Sequence, residues 1–173
     1  MLRRVSPMAL DFHEVSVVPV SEQLAFITSG QQYTWPGVGG LTRINTELLW
    51  THERFSLSGG AFAGRYFTPF NPSPQFMGGF NAMASYDVTD WMTVRGWGQY
   101  TFYESKEKNN PHLMLNPFYN HTNVGGAFEF KVNDSGFRVG VGINYEYNPI
   151  RGKMERQFMF YPAGKIGTFR IGN

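Results

Sequence analysis

Hydrophobic and polar residues alternate along most of the chain from Leu41 onward, which is the pattern of β-strands with one apolar face. In the clearest segment, residues 76–88, aromatic and aliphatic side chains share one face, while Asn81, Ser85 and Asp87 share the other. The same alternation predicts further strands over residues 41–50, 92–102, 123–132 and 137–147.

Three other segments complete the predicted set of strands. Residues 55–67 alternate less regularly, and their Gly59–Gly60 pair predicts a β-bulge that changes the facing side. Lys153–Tyr161 gives a seventh strand, and one more must precede Leu41, supplied by either Phe12–Val20 or Leu24–Ile27. About eight strands close the smallest usual barrel, so the predicted fold is all-β: an antiparallel up-and-down transmembrane β-barrel of about eight strands.

The whole chain, residues 1–173, is predicted to be a single β-barrel domain. Residues 41–161 form its strand region, residues 1–40 add an N-terminal strand and a loop, and residues 162–173 extend the C-terminal strand. Within that extension, Thr168–Ile171 either continues the last strand beyond Pro162 or forms an extra strand.

The connections are predicted to alternate in length. Short polar turns fall at residues 52–54, 88–90 and 133–136, and longer links fall at residues 68–75, 104–121 and 148–153. Outer-membrane barrels have short periplasmic turns and longer extracellular loops, so this asymmetry favours a membrane barrel. A soluble barrel that holds an apolar ligand remains an alternative, because alternation does not say which face points inward.

Charged residues recur on the polar face of the strands. In a membrane barrel they must point into the lumen, since a midplane Arg or Lys that faces lipid costs roughly 2–4 kcal/mol. With both signs present, they are predicted to form an ion-paired polar network that fills the lumen; a conducting or proton-relay path is the alternative. The predicted network consists of Arg43, Glu47, Arg95, Glu129, Lys131, Arg138 and Glu146.

Aromatic residues collect at the strand ends, as expected where a barrel meets two headgroup layers. The predicted belt near the short turns contains Trp50, Phe55, Tyr86 and Trp91, and the belt near the long loops contains Tyr100, Phe102, Tyr145 and Tyr147.

Composition supports a membrane protein and excludes several other classes. Charged residues make up only 16% of the chain, against about 25% in soluble domains, and aromatic residues make up 17%. The net charge of +2 does not favour nucleic acid, and the absence of Cys excludes disulfides and thiolate sites. No apolar run is long enough for a transmembrane helix. The mean hydropathy of −0.32 is compatible with membrane strands, which show only every second side chain to lipid.

The first residues do not resemble a signal peptide. Met1–Arg4 is basic, but Ser6, Pro7 and Asp11 interrupt any apolar core. We therefore expect that the numbering starts inside a longer precursor or that the extreme N-terminus is not native.

The loop over residues 104–121 starts charged and then becomes apolar and aromatic. Exposed apolar loop residues often mark a partner surface, although they can also fold back as a cap on the barrel mouth. The predicted partner loop contains Leu113, Met114, Leu115, Phe118 and Tyr119. The segment Ser29–Gly40, with Tyr33 and Trp35, allows the same two interpretations.

Three short runs have a family likeness: Ser85–Trp91, Phe130–Asp134 and Tyr147–Lys153. They resemble small, mostly uncharacterised outer-membrane proteins of Bacteroidetes-type bacteria. The resemblance covers roughly residues 54–156, carries no catalytic motif, and implies a membrane β-barrel in the bacterial outer membrane with an accessory place in a larger envelope assembly.

The sequence thus favours a non-enzymatic structural or accessory subunit of a larger outer-membrane complex. Its expected contacts are membrane lipid or lipopolysaccharide, with no nucleic acid, cofactor or metal. A small pore or ligand-binding barrel is the second hypothesis, and a lipid-modifying enzyme is the third. Candidate groups for catalysis are few, and no nucleophile elbow is present; they are His13, His52, His112 and His121, with Ser105 and Glu104 as partners.

Overall fold

The computed structural model describes residues 11–35, 37, 39–69, 71–104, 121–132 and 137–163. These residues form one sheet of nine strands, each hydrogen-bonded antiparallel to the next along the chain. The order is that of an up-and-down meander without crossovers. The strands are β1 (Phe12–Pro19), β2 (Leu24–Trp35), β3 (Gly39–His52), β4 (Phe55–Thr68), β5 (Asn71–Thr89), β6 (Met92–Tyr103), β7 (Asn123–Lys131), β8 (Arg138–Asn148) and β9 (Lys153–Ala163).

The sheet is open within the described residues, because β1 pairs only with β2 and β9 only with β8. The prediction of an all-β antiparallel up-and-down architecture is confirmed; the sheet has nine strands against a predicted number of about eight, and its closure into a transmembrane barrel stays a prediction. The excess arises because both N-terminal segments, and not one of the two, form strands. β2 continues to Trp35, so most of the segment that was predicted to be a loop from Ser29 is paired with β3.

Each edge strand carries a proline near its C-terminal end, at a position whose backbone nitrogen points away from the sheet. Val20 N–H donates to the carbonyl of Leu24, which sets the even-numbered residues of β1 toward β2 and leaves Pro19 on the free edge. Tyr147 N–H donates to Thr122, and the same parity places Pro162 on the free edge of β9. Neither proline therefore costs a ladder hydrogen bond.

The connections divide between two ends of the sheet. At the turn end the chain links β1 to β2, β3 to β4, β5 to β6 and β7 to β8, and at the loop end it links β2 to β3, β4 to β5, β6 to β7 and β8 to β9. The predicted long link at residues 68–75 is wrong, because β5 already begins at Asn71. Its prolines are tolerated there since the rungs between β5 and β6 start only at Met77. Only residues 104–122 make a long connection.

The predicted bulge at Gly59–Gly60 is also wrong, because both residues keep the regular register with β3 and β5. The register shifts instead at Tyr66/Thr68 between β4 and β5 and at Asp87/Thr89 between β5 and β6. Both shifts lie at strand ends, so the alternation of side chains is continuous through the middle of the sheet.

The register sorts the side chains onto two faces. The concave face carries one set, with representatives Ala25, Arg43, Phe62, Met77, Arg95, Glu129, Asn144 and Tyr161 on β2 to β9. The outward face carries the other, with representatives Phe26, Ile44, Leu57, Phe80, Tyr100, Phe128, Val141 and Phe158. Concavity follows from contacts between strands that are not neighbours, since a flat sheet keeps such side chains apart.

The buried side chains of the strands all lie on the concave face, and half of them are polar. They are Ala25, Phe62, Tyr66, Met77 and Ala127 together with Ser58, Thr93, Thr101, Glu129 and Asn144. The outward face is apolar and exposed: Phe158 is 74% exposed and Phe160 is 77% exposed. Among the exposed large apolar residues of the strands, only Val15, Trp35, Met83 and the bulge residue Val88 lie elsewhere.

Candidate functional site: the polar concave face

All seven residues of the predicted polar network lie on the concave face. Three more charged residues of the strands join them, namely Asp87, Lys153 and Glu155. Together these ten residues contain five cations and five anions, so the charges of the concave face balance. The outward face of the strands carries only Glu14, Arg65 and Arg156.

Glu129 is the centre of one cluster on this face. Its carboxylate accepts a hydrogen bond from Arg95 Nη2 at 3.2 Å and another from the Tyr161 hydroxyl at 3.0 Å. The Glu129 side chain is 2% exposed and that of Arg95 is 34% exposed. The buried anion is thus paired and hydrogen-bonded by strands on both sides of β7, which is how a buried carboxylate is made tolerable.

A second cluster crosses the concave face near the turn end. Arg138 on β8 donates to the Thr93 hydroxyl on β6, and that hydroxyl donates to Asp87 on β5. The Arg138 guanidinium also lies 3.8 Å from the Asp87 carboxylate. This ion pair joins strands three positions apart, so the sheet must curl strongly between β5 and β8.

Further polar contacts join neighbouring segments of the chain at the loop end. His121 Nδ1 lies 2.5 Å from Glu146 Oε1, and the backbone carbonyl of His121 accepts from Gln99 Nε2 at 2.9 Å. Farther from the loop end, Trp97 Nε1 on β6 donates a hydrogen bond to Asn144 Oδ1 on β8 at 3.1 Å. Glu146 and Gln99 are therefore held by His121, which lies just before β7, and Trp97 and Asn144 hold each other across β7.

Arg43 belongs to an aromatic cluster instead of the ion-paired clusters. Its guanidinium carbon lies 4.1 Å from the centre of the Phe62 ring, a cation–π geometry. Tyr66 packs edge-to-face on Tyr103 with ring centres 6.1 Å apart, and Met77 is buried beneath them. Lys131 and Glu47 complete the predicted set of residues on the concave face.

A cavity of about 380 Å³ lies on the concave face in the middle of the sheet. Residues from β3 through β9 line it, so strands six positions apart face the same space. The lining includes the polar side chains of Glu47, Asn81, Gln99 and Asn144, the indole of Trp97, and the side chains of Met83 and Met159. A space of this size and polarity can hold water or a small polar ligand.

Two glycines on the concave face, Gly125 and Gly140, lie beneath the aromatic rings of their paired residues. A Cβ at Gly125 would lie 2.6 Å from the Trp97 ring, and one at Gly140 would lie 2.4 Å from the Tyr161 ring. Both pairs are direct cross-strand partners. The missing side chain therefore lets each ring lie flat across the neighbouring strand, where its polar atom reaches Asn144 or Glu129.

The residues of the predicted aromatic belts lie on the outward face or, for Trp91, in a turn. At the turn end the rings of Trp50 and Phe55 are 5.8 Å apart, and Trp91 stacks on Phe130 at 6.1 Å. Tyr100, Phe102 and Tyr145 stand exposed toward the loop end. Their role as headgroup belts stays a prediction.

Several predicted residues lie outside the described part of the chain. These include the partner loop, Leu113, Met114, Leu115, Phe118 and Tyr119, together with His112, Ser105 and the segment Thr168–Ile171. Within the described residues, no group of three or more His, Asp or Glu side chains could hold a metal ion. The described ranges also contain no helix long and apolar enough to cross a membrane.

Comparison with known proteins adds no relative: no family model, curated protein or solved structure matches this chain.

The clusters of the concave face also contain Asp87, Thr93, Trp97, Asn144 and Tyr161, which lie outside the predicted network of seven residues. Alternation was a usable signal for the three polar ones, because Asp87 shares its predicted face with Asn81, Thr93 lies two residues from Arg95, and Asn144 lies two residues from Glu146. Trp97 and Tyr161 were missed because an aromatic residue on a polar face looks like an irregularity in the alternation. Cross-strand pairing with glycine explains both.

Proposed function

We propose that this chain is a membrane-embedded β-barrel protein of the bacterial outer-membrane type that acts as a structural or accessory subunit of a larger envelope complex. The observation that carries the proposal is the orientation of the two faces. Large apolar side chains cover the outward face, while ten of the thirteen charged residues of the strands lie on the concave face. Lipid is the solvent that suits this arrangement.

The same orientation argues against the soluble barrel with an apolar ligand. Such a protein needs its apolar face inside and its charged face in water. Here the exposed apolar residues run over β2 to β9, whereas soluble monomers rarely expose contiguous apolar patches larger than a few hundred Å².

A structural role fits the contents of the concave face better than conduction does. The Glu129 and Arg138 clusters cross the space between β5 and β9, and the Tyr66–Tyr103 pair occupies the loop end. Open edges support an accessory role as well, because an unpaired strand edge accepts a strand from a partner and is costly to leave in lipid. Within the described residues, β1 and β9 both present such edges.

The first test is to extract the protein from its own cell envelope in mild detergent and measure the size and composition of the particle. We expect a large particle that contains a second envelope protein in fixed stoichiometry. A lone small particle would contradict the accessory role but leave the membrane barrel standing. Recovery in the soluble fraction without detergent would overturn the membrane proposal.

The polar cavity favours one second candidate, a barrel that binds a small polar ligand or conducts it. Planar-bilayer recording on the same purified particle separates this candidate from the first. Regular conductance steps would favour a pore, and their absence agrees with a lumen crossed by ion pairs.

A further inference from the structure

The outward face carries an apolar groove with a cation at its edge, near the loop end. The groove has a volume of about 480 Å³ and lies across β3, β4 and β5. Ile44 and Ala63 form its floor, and the rings of Phe67 and Phe76 stand beside it. Ala63 contributes to the depression, because its small side chain is paired with Ile44 on β3 and with Gly78, which has no side chain, on β5.

Arg65 lines this groove and is exposed. On its two flanking strands it is paired with Thr42 and Phe76, neither of which carries a charge. No ion pair or hydrogen bond joins its side chain to another described residue. The acidic Glu104, next along the same rung, instead accepts a hydrogen bond from the backbone N–H of Phe76 at 3.4 Å.

The other two charged residues on the outward face have partners on the protein. Arg156 lies over the Phe158 ring at 4.9 Å, and Glu14 takes part in an interaction with another residue of the chain. Arg65 is therefore the outward charge of the strands that has no partner among the described residues. It lies three residues before Thr68, the last residue of β4, which places it where headgroups meet the acyl region if the sheet spans a bilayer.

We propose that this groove binds one phosphate-bearing lipid, with an acyl chain along Ile44 and Ala63 and the phosphate on the Arg65 guanidinium. The inference rests on the proposed membrane function and adds a defined lipid site to it. The chemistry is complementary at both ends, since an apolar channel accepts a hydrocarbon chain and a guanidinium binds a phosphate through two parallel N–H donors. Free inorganic phosphate would bind the Arg65 guanidinium but would not occupy the apolar groove.

The test uses the delipidated protein in mild detergent, titrated with phosphatidylglycerol and followed by native mass spectrometry. Arg65→Gln should weaken the tightest-bound phosphatidylglycerol about tenfold, because one charge-assisted contact is lost. Arg156→Gln, which removes the other outward arginine, should leave that affinity unchanged. A neutral diacylglycerol should bind the wild type and Arg65→Gln equally.

A second pair of variants tests the channel independently of the charge. Ala63→Leu fills the groove and should weaken phosphatidylglycerol binding, whereas Ala61→Leu lies on the same strand and face outside the groove and should not. Competition by millimolar inorganic phosphate together with normal binding by Ala63→Leu would overturn the lipid proposal in favour of a free anion. Equal affinities of the wild type and Arg65→Gln would overturn it outright.

Vesicle flotation separates this inference from the proposed function. If the wild type and all four variants float with vesicles but bind phosphatidylglycerol alike, only the Arg65 site is wrong. If none of them associates with vesicles, the membrane proposal fails and the lipid site fails with it.

Discussion

At the scale of the residue, Glu129 shows how a charge is accommodated on the concave face. It is 1% exposed and receives Arg95 from β6 and the Tyr161 hydroxyl from β9. Two donors from different strands satisfy the carboxylate and fix the distance between those strands. The cluster therefore stabilises the buried charge and also holds the sheet in its curved shape.

Replacement of Glu129 by Ala should destabilise the protein by about 1.5–3 kcal/mol, because it leaves Arg95 and Tyr161 without their acceptor. The free energy of unfolding by urea in detergent micelles measures this effect. Glu129→Gln keeps an acceptor for Tyr161 and should lose less than the alanine variant.

The matched control is the exposed pair at the turn end, Arg54 and Asp90, whose atoms are 3.3 Å apart. Asp90→Ala should change the free energy of unfolding little, because surface ion pairs contribute little. Equal losses in Glu129→Ala and Asp90→Ala would show that the Glu129 cluster has no structural role.

At the scale of the element, each strand is a two-sided object whose faces meet different surroundings. β7 shows this at adjacent residues. Gly125 lies on the concave face beneath the Trp97 ring, while Gly126 lies on the outward face, where an added Cβ would come no nearer than 3.4 Å to Arg95. Glycine at position 125 is thus needed for close packing, whereas position 126 has room for a Cβ.

Gly125→Ala should destabilise the protein by about 1–3 kcal/mol, because its Cβ would clash with Trp97 and with the Ile143 carbonyl. Gly126→Ala should be close to neutral. Urea unfolding gives both values. A larger loss at Gly126 than at Gly125 would mean that the two faces are assigned the wrong way round.

Period-two alternation predicted most of the strands and grouped the charged residues correctly, since Arg43, Arg95 and Glu146 all share a face. It did not predict β5 from Asn71, because prolines usually end strands and only the missing rungs to β6 make them acceptable. Alternation also could not predict the contacts across the concave face. Asp87 contacts Arg138 because the sheet curves, and this curvature is not apparent from the sequence of any single strand. Alternation does not single out Arg65, because one cation on an otherwise apolar strand face forms no pattern.

At the scale of the whole molecule, the described residues form an odd number of strands, and this decides how the edges of the sheet can be completed. In an antiparallel meander of nine strands, β1 and β9 run in the same direction. Direct contact between them would be parallel, whereas one inserted strand would be antiparallel to both and would give an even number, as in bacterial single-chain barrels. The free-edge prolines, Pro19 and Pro162, both lie at the turn end, so the pairing surfaces are concentrated toward the loop end.

The odd strand number also predicts a topology that labelling can test. The chain has no cysteine, so single substitutions can be labelled without ambiguity. In intact cells, a membrane-impermeant maleimide should modify Asp11→Cys and Ile150→Cys, which lie at the loop end, but not Ser21→Cys or Pro162→Cys at the turn end. Labelling of Asp11→Cys together with Pro162→Cys would exclude nine membrane-crossing strands.

A chain that crosses a membrane an odd number of times delivers its two flanks to different compartments. Asp11, just before β1, lies at the loop end, and Ala163, at the end of β9, lies at the turn end. If the nine described strands cross the outer membrane as proposed, a domain fused before Asp11 would lie on one side of it and a domain fused after Ala163 on the other, so a single chain could connect an exterior partner to an interior one.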